Sequence, residues 1–152
     1  AAPVAPEPGT LLIWAAGVVT PAFVRASGLP MTPQGRLRVD DTLRWRENCF
    51  AAGDIAAFFT GDRPLRMSVQ FALSEGQLAA GNILRMARGR PGRAYCPFDP
   101  GYIVPMANNR SCGEVLGATV TGRLPTFLHY LMCACRMPGP ARKIGLFRGA
   151  FV

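Results

Sequence analysis

The chain has 152 residues, 49% of them apolar and 17% charged, which is enough to bury a core and too apolar for wholesale disorder. Seventeen basic residues face nine acidic ones, a formal net charge of +8. Residues 1–84 hold seven of each sign, so the whole excess falls in residues 85–152, where only Asp99 and Glu114 are acidic; two complete nucleotide-binding domains do not fit in this length.

Residues 1–9, rich in proline, read as an extended linker that begins with Ala rather than Met, so the chain is expected to start inside a longer protein. No basic start and apolar run mark an export signal, and the uncharged run 8–24 is broken by Gly9, Gly17 and Pro21, which makes it a poor membrane span. Leu11-Leu12-Ile13-Trp14-Ala15-Ala16-Gly17-Val18 has the continuous apolarity of a strand covered on both faces. Arg36-Leu37-Arg38-Val39-Asp40 alternates as a half-exposed strand does, and Asn48-Cys49-Phe50-Ala51-Ala52 reads as a second buried strand. Val69, Leu73, Ala80, Ile83, Leu84 and Ala87 recur at helical spacing from about Ser68 to Arg88, where Arg88-Gly89-Arg90-Pro91 stops the helix. Tyr102 to Met106 and Glu114 to Val120 flank Asn108-Asn109, as in a hairpin or an antiparallel pair. Leu124, Phe127, Leu128, Leu131, Met132 and Cys135 then mark an amphipathic helix, with Pro125 in its first turn and Pro138 past its end.

In residues 48–56 a buried strand is expected to deliver Gly53 and then Asp54 to a loop at its carboxyl end, where open α/β sheets bind ligands. Gly53 would let a ligand approach the backbone, and the Asp54 carboxylate would accept hydrogen bonds from a polyol such as ribitol; the alternative is that Asp54 caps a short helix running through Phe59. Five scattered cysteines suit reduced, buried thiols of a cytoplasmic protein. Cys133 and Cys135 stand about 200° apart on a helix, so with His129 they make no metal site. With one histidine and no nucleophile elbow there is no Ser-His-Asp set, and arginines scattered among Pro and Gly argue against a nucleic-acid partner. No Gly-x-Gly-x-x-Gly turn occurs.

These segments together resemble the C-terminal part of FAD-dependent flavoproteins of the pyridine nucleotide-disulfide oxidoreductase type. Leu11 to Gly17 is similar to the hydrophobic strand that ends in Ala-Thr-Gly, with Ala16 in place of Thr, and Gly35 to Asp40 with Phe50 to Ala56 resembles the second FAD motif. Within that group the likeness is to type II NADH:quinone oxidoreductases and the related sulfide:quinone oxidoreductases. Ser68-Val69-Gln70-Phe71-Ala72-Leu73-Ser74-Glu75-Gly76 resembles their Ala-Gln-x-x-x-Gln segment, with Val69 for Ala, Gln70 for the first Gln and Ser74 for the second.

The resemblance implies an α/β fold: residues 10–92 as the C-terminal portion of a Rossmann-like FAD-binding domain, and residues 93–152 as a small α+β region of antiparallel strands and a helix. It implies that Gly53 and Asp54 hold the ribitol of FAD and that Ser68, Val69 and Gln70 face the flavin ring, Gln70 being otherwise an exposed helix residue. The intact oxidoreductase would pass electrons from NAD(P)H through FAD to a quinone or similar acceptor, the dinucleotide-binding turns would lie in the rest of the polypeptide, and this piece alone would be inactive. A sulfide:quinone oxidoreductase-like enzyme using Cys96 or Cys112 is the alternative, or a non-catalytic module for dimerisation or docking. The basic second half would be a solvated face or suit a peripheral site on the inner membrane face, and a homodimer could cover exposed apolar surface.

Overall fold

The computed structural model describes residues 9–13, 17–106, 108–139 and 145, which divide between two units, Ala1–Pro97 and Phe98–Val152. Both mix helix and strand, and the second carries the small antiparallel sheet and helix expected at the C-terminal end.

In the first unit, α1 (Ala22–Ala26) precedes β1 (Leu37–Arg38), which leads into a tight turn built by Asp40. One Asp40 oxygen accepts the Thr42 N–H and hydroxyl at 2.8 Å each and the Arg44 N–H at 2.9 Å. Burial alone would raise this carboxyl, but those bonds outweigh it and hold it below the usual carboxylate range. The turn drives Leu43, fully buried at φ +66°, into the middle of the core. Beyond it β2 (Arg44–Arg46) pairs antiparallel with β3 (Cys49–Phe50), and β4 (Ala56–Ala57) pairs parallel with β1. A ribbon of β5 (Phe59–Thr60) and β6 (Arg63–Pro64) then leads to the long helix α2 (Val69–Met86), entered from Ser68.

Two strands expected from apolar runs form differently. Leu11, Leu12, Ile13 and Val18 are exposed and in no strand, while Trp14 to Ala16, like residues 1–8 of the expected linker, lie outside the described residues. A strand covered on both faces requires neighbours in hydrogen-bonding register, and none lies beside the described part of this run. The segment before Gly53 forms only the two residues of β3, with Cys49 exposed; the buried strand is β4, which follows Gly53-Asp54 rather than preceding it, because two alanines fit against the core where β1 offers a parallel partner.

α2 runs as its spacing predicts but is rotated. It buries Phe71, Glu75, Ala79 and Asn82, while Val69, Leu73, Ile83 and Leu84 face outward. Polar groups decide the rotation, since each buried one has a backbone partner. Asn82, 1% exposed, donates to the carbonyls of Thr42 and Arg93 and accepts the Arg93 N–H at 2.8 Å. About two turns earlier, the Ser74 hydroxyl meets the Tyr95 hydroxyl at 2.6 Å, and Tyr95 stands edge-on to Phe58.

The second unit is a meander of β7 (Gly101–Pro105), β8 (Ser111–Val115) and β9 (Ala118–Gly122), followed by α3 (Arg123–Arg136). The Asn108-Asn109 turn lies between β7 and β8 as expected, with Asn109 at φ +55°. Residues 114–120 are not one strand: Leu116 and Gly117, both at positive φ, turn the chain back after β8. α3 also hides polar contact rather than its apolar stripe. Thr126, 1% exposed, shares a 2.8 Å hydrogen bond with Ser111, whereas Leu124, Phe127, Leu128, Leu131 and Met132 are exposed. The thiols are not buried either: Cys49, Cys96, Cys112 and Cys135 are exposed and Cys133 is half-buried.

Asn82→Ala leaves three backbone groups without their partner and is expected to destabilise the protein by about 3 kcal/mol, read by urea unfolding. Gly113→Ala drives a methyl group into the Tyr102 carbonyl across the β7–β8 pair, and it is expected to abolish protection of those strand amides in hydrogen exchange.

Candidate functional site

The chain leaves β3 extended at Ala52 and turns sharply through a 3-10 turn, Gly53–Ile55, into β4. No helix continues to Phe59, so Asp54 caps none; it stands within the turn with its side chain exposed. Gly53 is required twice here. Its φ is +75°, and a Cβ on it would stand 3.3 Å from the Ala72 Cβ of α2, tighter than side chains normally pack.

Two buried charged residues, neither singled out by the sequence reading, frame the turn. Glu75, 2% exposed on α2, accepts the Gly53 N–H on Oε2 at 2.6 Å. Arg36, 7% exposed, donates through Nη1 to the Leu65 carbonyl at 2.8 Å and through Nη2 to the Ala56 carbonyl. One guanidinium thus clasps the strand that follows the turn and the segment that leads into α2. The signal in the sequence was a helix face, Phe71, Glu75, Ala79 and Asn82, whose polar members hydropathy counts as solvent-facing.

Asp54 lies between two depressions. One, of about 710 Å³, is lined by Asp54, Met67, Ser68, Val69 and Ala72. The other, of about 440 Å³, is lined by residues including Thr20, Gln34, Arg36, Asp54 and Met67. Of the five residues expected at a ligand site, the structure therefore brings Asp54, Ser68 and Val69 together around one hollow. Gly53 lies behind it against Ala72, and Gln70 is half-buried one position further along α2, outside the lining.

The donor set has a definite chemistry. Asp54 supplies an acceptor, and Val69 at the opening of α2 supplies an N–H with no carbonyl a turn earlier, together with the positive end of the helix dipole. The Ser68 hydroxyl oxygen is buried without a hydrogen-bond partner among the described residues. A ligand with hydroxyls along one part and carbonyl oxygens on a flat ring matches these groups. Ser74, by contrast, is engaged with Tyr95, and Cys96 lines neither hollow. Among the described residues, no three His, Cys, Asp or Glu side chains converge as a metal site.

Burial pushes the Glu75 carboxyl above its ordinary value of 4.5; the Gly53 N–H and the Arg36 charge pull it back in part, and the Asp54 charge adds to the rise. Arg36 is lowered by burial, against the opposing pull of Glu75 and Asp54. Because folding favours protonated Glu75, its contribution to stability is complete below pH 4.5 and is lost as pH rises through the folded-state value. Glu75→Gln removes that titration. Urea unfolding between about pH 4 and 8 is expected to show a shallower fall in stability in the variant than in the parent.

No family model matches the chain. It is similar to the type II NADH:quinone oxidoreductase of Staphylococcus aureus (strain NCTC 8325 / PS 47), 28% identical over 120 residues, which are 76% of this chain and 30% of that protein. The proteins of the same name from Staphylococcus epidermidis (strain ATCC 12228 / FDA PCI 1200) and Staphylococcus haemolyticus (strain JCSC1435) are each 29% identical over 126 residues, 80% of this chain and 31% of theirs. The chain thus spans about three tenths of the length of the curated relatives it matches, and the resemblance seen in its motifs extends over most of its own length.

Proposed function

We propose that this chain is the part of an oxidoreductase of the type II NADH:quinone oxidoreductase kind that seats the ribitol and one edge of the ring of FAD. In this reading residues 10–92 complete a Rossmann-like FAD-binding domain and residues 93–152 form its C-terminal region. The observation that carries the reading is the hollow in which Asp54 meets Ser68 and Val69 at the start of α2, residues that the motif resemblance assigns to one cofactor. The Asp54 carboxylate accepts hydrogen bonds from ribitol hydroxyls, with Gly53 supplying the turn that presents it. Ser68 and the opening N–H of α2 donate to the ring's carbonyl edge, where negative charge grows on reduction. Val69 gives the ring an apolar seat, and Gln70 follows it at the margin.

The chemistry that bound FAD supplies is the uptake of two electrons from NAD(P)H and their delivery to an acceptor, for which the relatives' printed name suggests a quinone. The turns that bind the two dinucleotides lie, in this reading, outside residues 1–152, which do not turn over alone. Because Ser74 is hydrogen-bonded to Tyr95, it does not replace the second Gln of the motif as an acceptor-facing group. The positive excess of residues 85–152 supports seating on an anionic headgroup surface, and no described helix is long and apolar enough to cross a membrane.

The full-length gene product is expected to purify yellow and to oxidise NADH with a quinone acceptor. Asp54→Ala is expected to weaken FAD retention by about tenfold or more, the loss of a charge-assisted hydrogen bond, measured by flavin fluorescence on dilution. A full-length protein that neither carries nor takes up FAD overturns the reading.

A further inference from the structure

Resting on the flavin reading above, we infer that Glu75 is a positioning residue for that site: by holding the Gly53 N–H it sets where the Asp54 carboxylate stands relative to the first turn of α2. Asp54 is exposed, so packing does not fix its side chain, and its placement is inherited from the backbone one residue before it. That backbone is in the left-handed region at Gly53 and is reached from α2 by two residues one turn apart, Ala72 against its Cα and Glu75 on its N–H. The same helix carries Ser68 and Val69 at its opening, so the bond ties both sides of the hollow to one rigid element.

A carboxylate is an expensive way to fill that space. An apolar side chain of similar volume costs less to bury, and it would leave the Gly53 N–H without an acceptor. Arg36 keeps Glu75 tolerable by standing near it while its own donors hold the Ala56 and Leu65 carbonyls, one residue beyond the 3-10 turn and a few residues before α2. The turn is therefore gripped at its first residue and just past its last, and Asp54 lies between the two grips.

The test uses the full-length protein and reads the FAD dissociation constant and the visible circular dichroism of the bound flavin. Glu75→Ala and Glu75→Asp fall short of Gly53; each is expected to weaken FAD by about tenfold or more and to alter the visible band. Glu75→Gln keeps an acceptor oxygen at the same reach and is expected to stay within about threefold of the parent. In an Asp54→Ala background, adding Glu75→Ala is expected to cost less than about threefold more, since both act through one carboxylate. Unchanged FAD binding in Glu75→Ala and Glu75→Asp overturns the assignment, as does a further tenfold loss on top of Asp54→Ala. Should Glu75→Ala or Glu75→Asp fail to fold, the near-isosteric Gln variant decides: a tenfold loss there overturns the assignment, and parental affinity with a parental visible band supports it. A parent protein that binds no FAD overturns the flavin reading itself, whereas a flavin-binding parent indifferent to Glu75 overturns only this inference.

Discussion

The hydrogen bond from the Gly53 N–H to the buried Glu75 carboxylate joins the first unit's short strands to its long helix, and the candidate site exists only where those two parts meet. Strands of two residues contribute few ladder bonds and cannot orient a loop by themselves. Here the orientation comes from α2, eighteen residues long, through one acceptor and one small side chain, Ala72. Arg36 supplies the counterweight in charge and the second grip on the backbone.

The same economy recurs elsewhere. Asn82 binds the 42 turn and the 93 segment to the far end of α2, Asp40 closes the turn that buries Leu43, and the Ser111–Thr126 pair fixes α3 on its meander. Each is a polar side chain, almost fully buried or at a turn, satisfying groups that the local secondary structure leaves open. Specific hydrogen bonds thus orient the elements of both units, beside the apolar core that the first unit buries around Leu37, Leu43 and Ala56.

That balance explains what could be read in the residues alone. The extent of α2, its start at Ser68, the stop near Arg88, the turn at Asn108-Asn109 and the span of α3 depend on neighbours close in the chain, and they form where local chemistry puts them. The faces of the helices do not. Whether Glu75 or Leu73 turns inward depends on Gly53, 22 residues away, and the burial of Asn82 on Thr42, 40 residues away. Hydropathy contains neither partner, so the apolar stripe looked like the buried one. The Gly53-Asp54 turn was legible as a strand end running into a loop, and the resemblance to the second FAD motif drew attention to Asp54, but its place before β4 rather than after a buried strand depends on the pairing with β1. The described part of the run, Leu11 to Ile13 and Val18, misled for the same reason: continuous apolarity states a need for neighbours without supplying them.

Helices that turn their leucines outward have a practical price. With Val69 at 60%, Leu84 at 59% and Leu124 at 69% exposure, the isolated polypeptide presents oily ridges to water on α2 and on α3. Such ridges make a purified sample sticky as it is concentrated, strongly retained on phenyl resins and prone to film at an air–water boundary. A mild non-ionic detergent in the storage buffer would mask them without touching the buried polar clasps.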